Sequence, residues 1–143
     1  MKKLFLIISL SLLLVVAACG SNEVDENGPA GIPIKWLNAE LQENQSAMLD
    51  LLDDKSKALD PEDQADNKET IKKYKLTEWK ASDERYFYQV EYEDPMENKM
   101  KTEKMEVIKT NDGWKRTKYG NLTNFDKLIE DLNPDVLREL HDE

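Results

Sequence analysis

The pattern of apolar and polar positions changes several times along the chain. From Leu4 to Val16 the residues are aliphatic apart from Ser9 and Ser11. Residues 20 to 33, GSNEVDENGPAGIP, hold almost nothing to bury and read as an extended tether. From Ile34 to about Asp54, Leu37, Leu41, Met48 and Leu52 recur at steps of four and seven, with Leu51 widening the stripe. That spacing predicts a surface helix lying over another layer, although Asn44 and Gln45 interrupt it. A second helix is expected after Asp60-Pro61: Asp caps, Pro suits the first helical position, and Glu62 and Asp63 favour the positive end of the dipole.

The period then becomes two. YFYQVEY sends Tyr86, Tyr88, Val90 and Tyr92 to one side and Phe87, Gln89 and Glu91 to the other, the alternation of a half-buried strand. Residues 73 to 81 form a preceding strand, with SDER as the turn. After Asp94-Pro95 and the loop MENK, residues 101 to 110 make a third strand. Asn111-Asp112-Gly113 tolerates the positive φ of a tight hairpin and returns the chain through WKRTKYG. The end reads as helical, with Thr123 or Asn124 capping a turn that carries Phe125, Leu128, Ile129 and Leu132. Asn133-Pro134 then restarts a helix with Val136, Leu137 and Leu140. Strands segregated from helices give an α+β class: N-terminal helices packed on a curved antiparallel sheet of about four strands, with a C-terminal helical segment.

The first twenty residues decide the compartment. Lys2 and Lys3 form a positive start, and the apolar run of about 15 residues is shorter than the roughly 18 to 20 of a membrane span. Small residues follow it, as in a secretory signal peptide. Retention as an uncleaved membrane helix is the rival reading, and the cysteine separates the two. Val16-Ala17-Ala18-Cys19 resembles the lipobox of bacterial lipoproteins. The resemblance implies cleavage between Ala18 and Cys19 and a diacylglyceryl group (palmitate-type chains on glycerol) on the Cys19 sulfur. Each buried CH₂ contributes roughly 0.8 kcal/mol, so two chains hold stably where one is marginal. Residues 1–18 are then removed, 19–33 are the lipidated Cys and tether, and 34–143 are one α+β domain. Cys19 is the only cysteine, so that domain folds without disulfides in an oxidising compartment. This leans toward a Gram-positive cell surface.

Charge narrows the partners. Beyond residue 18 there are eighteen basic and thirty acidic side chains, a formal charge of −12. Such a chain repels phosphate backbones, which argues against nucleic acid, and it permits a basic protein partner. Acidity also serves plain solubility.

The hairpin Asp112-Gly113-Trp114-Lys115, preceded by Met105 to Thr110, is similar to that of small members of the nuclear transport factor two-like superfamily, cystatin-like cone folds often found as bacterial lipoproteins. The resemblance spans residues 34 to 120. It implies a cone between sheet and helices that either binds a small molecule or is plugged by its own side chains. The chain departs from the family at Arg116, where an aliphatic residue is usual, and in its C-terminal extension.

Little catalytic chemistry stands out. His141, the only histidine, sits near the C-terminus where ends fray. No nucleophile has a base beside it in the pattern. DPEDQAD, residues 60 to 66, lacks the Gly and Glu of an EF-hand loop, with Ala65 and Ile71 at those positions. The sequence points to no metal and no cofactor. What remains is an aromatic set, Trp79, Tyr86, Tyr88, Tyr92, Trp114 and Tyr119; the first five are the candidates that either fill the core or line a binding face on the sheet. The expectation is a membrane-anchored, non-enzymatic binding or interaction module. A carrier or enzyme with an open cone, and an inhibitor or immunity lipoprotein against a cationic toxin or lytic enzyme, are the alternatives.

Overall fold

The computed structural model describes residues 24–142. The expected signal peptide, the cleavage at Ala18 and the lipidated Cys19 lie outside the described residues. The elements run α1 (Gly31–Leu41), α2 (Gln45–Leu51), β1 (Tyr74–Ser82), β2 (Arg85–Asp94), β3 (Lys99–Thr110), β4 (Gly113–Arg116), α3 (Phe125–Leu128) and β5 (Pro134–Arg138). The strands form one antiparallel sheet in the order β4-β3-β2-β1-β5, so the class is α+β.

Alternation along β2 decides what each face of the sheet does. Tyr88, Val90 and Tyr92 stand beside Met105 and Val107 of β3 and Leu76 of β1 on one face. Trp36 and Leu37 of α1, Met48 of α2 and Leu52 close over them. Each such side chain contributes about 1.5–3 kcal/mol when fully buried. Phe87 points to the other face and meets Leu122 and Phe125, a small second cluster that α3 brings down on one half of the sheet.

Three expectations need correction. The single helix from Ile34 to Asp54 is two. At the end of α1, Asn44 N–H donates to Ala39 O (2.8 Å) and Glu43 N–H to Glu40 O (3.0 Å), the paired bonds of a helix stop, with Glu43 in the left-handed region at φ 48. Asn44 then caps α2, accepting from Ala47 N–H at 3.0 Å. The polar pair that interrupts the stripe is therefore the junction itself. No helix follows Asp60-Pro61. Asp60 instead turns its carboxylate onto Glu62 N–H (3.0 Å), a local turn, because too few apolar residues follow to hold a helix on the core. Finally, Pro134 opens β5 and not a helix. An edge strand accepts proline at its first residue, and β1 offers a free edge that a local helix does not match. The sheet thus has five strands, and α1 begins at Gly31, inside the segment read as tether.

The irregular strap between α2 and β1 is held by side chains of the two helices. Asn38 Oδ1 accepts from Ile71 N–H (2.9 Å), Gln42 donates to Glu69 O (3.0 Å), and Gln45 both accepts from Asp60 N–H (2.6 Å) and donates to Asp63 (2.5 Å). These polar residues satisfy backbone groups that no ladder or helix serves.

Candidate functional site

The five aromatic candidates do not form one surface. Tyr88 and Tyr92 are 0 % and 5 % exposed beneath the helices, and Tyr88 O–H donates to the Glu78 carboxylate at 2.5 Å. Tyr86 stacks on Tyr88 (6.2 Å) and meets Trp114 edge-on (5.5 Å), with the Lys80 and Lys109 ammonium groups each 5.9 Å from a ring. Trp79 lies on the opposite face against Phe125, 5.5 Å away. Four of the five share a face, and of those only Tyr86 and Trp114 reach solvent. Burial pushes the Tyr92 hydroxyl up to about 12 and the Tyr88 hydroxyl higher still, so neither works as a proton donor or acceptor near neutral pH.

The unusual chemistry sits at Arg116, a charged residue at an inward strand position. Trp114 and Arg116 alternate onto the helix-covered face of β4, and Arg116 is 1 % exposed. Its Nε–H donates to Lys118 O (2.9 Å), and Nη2 donates to Gly120 O (2.7 Å) and to the Glu103 carboxylate (3.3 Å). Nη1 is buried without a partner. The guanidinium lies 4.4 Å from the Trp36 ring centroid, Trp36 meets Tyr119 edge-on at 5.6 Å, and the Lys57 ammonium is 5.1 Å from the Tyr119 ring. The result is a ladder of cation, ring, ring, cation running from core to solvent. By fixing Lys118 and Gly120, Arg116 sets the loop that presents Tyr119, which is 39 % exposed.

Tyr119 walls a cleft of about 260 Å³ lined also by Glu40 and Glu43 at the end of α1, by Met48 of α2, and by Leu59 and Asp63 of the strap. Three carboxylates, two from the end of α1 and one from the strap, thus border an aromatic ring. Glu40 is pushed above its ordinary 4.5, first by burial and next by the neighbouring Glu103, with Arg116 and Lys101 pulling the other way. Glu43 occupies a left-handed position that glycine would take without strain. The strap continues the acidity: Asp53 to Glu69 holds seven acidic residues and three lysines. A concave, electronegative site with an aromatic wall suits an ammonium or guanidinium group.

Sequence reasoning misses this cleft because its residues come from a helix end, a strap without periodicity and a loop. The available signals are Tyr119, one of the aromatic set, and Arg116, a charge at an inward strand position. His141 is exposed in the turn after β5 and does not line the cleft beside Tyr119. Among the described residues no group of three or more His, Cys, Asp or Glu is placed to hold a metal, and no helix is long and apolar enough to cross a membrane. No family model, no curated protein and no solved structure matches the chain.

Proposed function

We propose that the chain is a lipid-anchored, extracytoplasmic binding module without enzymatic activity, held at the cell membrane through Cys19, that engages a basic protein partner. The carrying observation is the acidic cleft beside Tyr119, whose ring already has one ammonium, that of Lys57, above it. A lysine or arginine of the partner would displace Lys57 from the ring and neutralise Glu40, Glu43 and Asp63. Two further facts support the reading. The helix-covered face of the sheet is filled by Trp36 and Leu37 of α1, Met48 of α2 and Leu52, which favours a surface module over a carrier with an internal pocket. The left-handed Glu43 that ends α1 keeps a carboxylate at the rim at a conformational cost of about 1–2 kcal/mol. The anchor confines the domain to the membrane face, which raises its effective concentration for a neighbour.

The test uses the full chain in non-ionic detergent and an oligolysine peptide, followed by calorimetry. Binding is expected to weaken by about tenfold for Glu43→Lys combined with Asp63→Lys, and to fall steeply as added salt shortens the screening length. Salt-insensitive binding, or equal affinity in the reversed variant, refutes the cleft. For the anchor, Cys19→Ala is expected to abolish partition into the detergent phase of the processed protein, and unchanged partition refutes lipidation.

A further inference from the structure

A second groove, of about 700 Å³, crosses one end of the sheet, and its charge is opposite to that of the chain. Lys72 and Lys73 enter it where the chain leads into β1, and Arg138 and His141 enter it at the exit from β5. Two carboxylates also line it, and both are already engaged. Glu93 pairs with Lys73 at 3.4 Å, and the Asp142 carboxylate accepts from Glu139 N–H at 2.9 Å. Lys72 and Arg138 have no carboxylate within ion-pair distance among the described residues. The Arg138 guanidinium is held in place: it lies 4.5 Å from the Tyr74 ring centroid, and its Nη2 donates to Asp142 O (2.7 Å) and Lys72 O (3.5 Å). Its Nε is buried without an acceptor. Met100, 55 % exposed, and Leu140 supply apolar flanks.

We infer that this groove binds a phosphate-type oxyanion carried on a small apolar body, with Lys72 and Arg138 as its cations. A fixed guanidinium without a counter-charge, beside a free ammonium in a concave site, is the arrangement that recognises phosphate. Carboxylates elsewhere give residues 19–143 a net charge of −12, so a groove this short of anionic partners stands out from its surroundings. Two sources share the chemistry: a soluble phosphate ester and a phospholipid headgroup. Geometry favours the headgroup, on the reading that Cys19 is lipidated. Arg138 also lines the small cleft that contains Val24, and Val24 follows Cys19 by five residues. Five residues reach about 18 Å at most even when fully extended. The groove end of the domain therefore stays close to the bilayer.

The experiment is amide NMR of the full chain in non-ionic micelles at low ionic strength, titrated with inorganic phosphate and with glycerol 3-phosphate. Saturable shifts are expected at 72–73, 93, 100 and 138–142, and Lys72→Glu is expected to weaken both ligands by about tenfold. Arg138→Gln is expected to remove binding, and the exposed Lys72 variant keeps the test valid if that substitution disturbs Tyr74. Shifts that do not saturate, that spread over all lysines, or that survive Lys72→Glu overturn the inference. Doping the micelles with phosphatidylglycerol then separates the sources. If the same resonances move and phosphate no longer binds, the headgroup is the ligand. If they stay and phosphate still binds, the soluble anion is. Because phosphate binding does not require the anchor, loss of detergent partition in the Cys19 test and loss of phosphate shifts here are separate failures.

Discussion

Replacing Arg116 with alanine removes the only cation buried under α1 among the described residues, and the structure sets the size of the effect. Burial disfavours the charged guanidinium, while Glu103 and Glu40 favour it, so the charge is kept by its partners. Alanine leaves the carbonyls of Lys118 and Gly120 and the Glu103 carboxylate, whose side chain is 17 % exposed, without their donor. It also withdraws the group stacked on Trp36. Removing one member of a buried ion pair costs about 3–5 kcal/mol, a large share of the roughly 5–15 kcal/mol that a domain possesses. With a urea slope of about 2 kcal/mol/M, the midpoint is expected to fall by about 2 M. Tryptophan fluorescence reads the transition. Arg116→Met with Glu103→Gln is expected to recover the part of the loss that comes from the unpaired Glu103 carboxylate, while the Lys118 and Gly120 carbonyls still lack their donor. A loss below about 1 kcal/mol in Arg116→Ala, or a double variant no better than the single, refutes the reasoning.

Three other outcomes follow from particular groups. Glu40 and Asp94 are expected to give opposite pH behaviour in urea melts. Glu40 has a raised folded pKa, so its charged form destabilises the fold above that pKa; Glu40→Gln is expected to stabilise at pH 7 and to lose its advantage as pH falls below the ordinary 4.5. Asp94 is held below its ordinary 3.8 first by Lys101, at 2.6 Å, with help from Met96 and Glu97 N–H; Asp94→Asn is expected to destabilise at pH 7 and to approach wild type as pH falls through the carboxylate range. A match in sign between the two refutes both assignments. Glu43→Gly is expected to raise stability by about 1 kcal/mol while weakening oligolysine binding, and a loss of stability refutes the strain at that position. Gly31→Ala places a Cβ 2.4 Å from Glu26 O, so a loss of about 1–3 kcal/mol is expected in thermal melts, and no loss refutes the tight turn before α1.

The strands were the legible part of the fold because alternation records burial directly. Tyr88, Val90 and Tyr92 face inward as their spacing requires, and Asn111-Asp112-Gly113 makes the hairpin with Gly113 at φ 98. Elements that depend on distant partners were not legible. Val136 and Leu137 have the spacing of a short helix, yet β5 exists because β1 has an edge to pair, 59 residues earlier at the Thr77–Val136 contact. The strap between α2 and β1 has no period at all. Its conformation comes from Asn38, Gln42 and Gln45, which read as polar helix positions. The candidate cleft inherits that difficulty, since Asp63 and Leu59 belong to the strap and Tyr119 to a loop.

That strap also gives the domain two tiers of stability. Between its buried ends, Leu52 and Ile71, the strap is attached to α1 and α2 by a handful of exposed or half-buried hydrogen bonds and the partial burial of Leu59, whereas β1, β2 and β3 are paired along their length over the core. Segments with few buried contacts open at lower free energy than the global transition. Amide protons of the strap therefore exchange before those of the central strands, and the wall of the cleft formed by Leu59 and Asp63 can swing away while the sheet stays intact. The domain can change the width of its acidic mouth without unfolding.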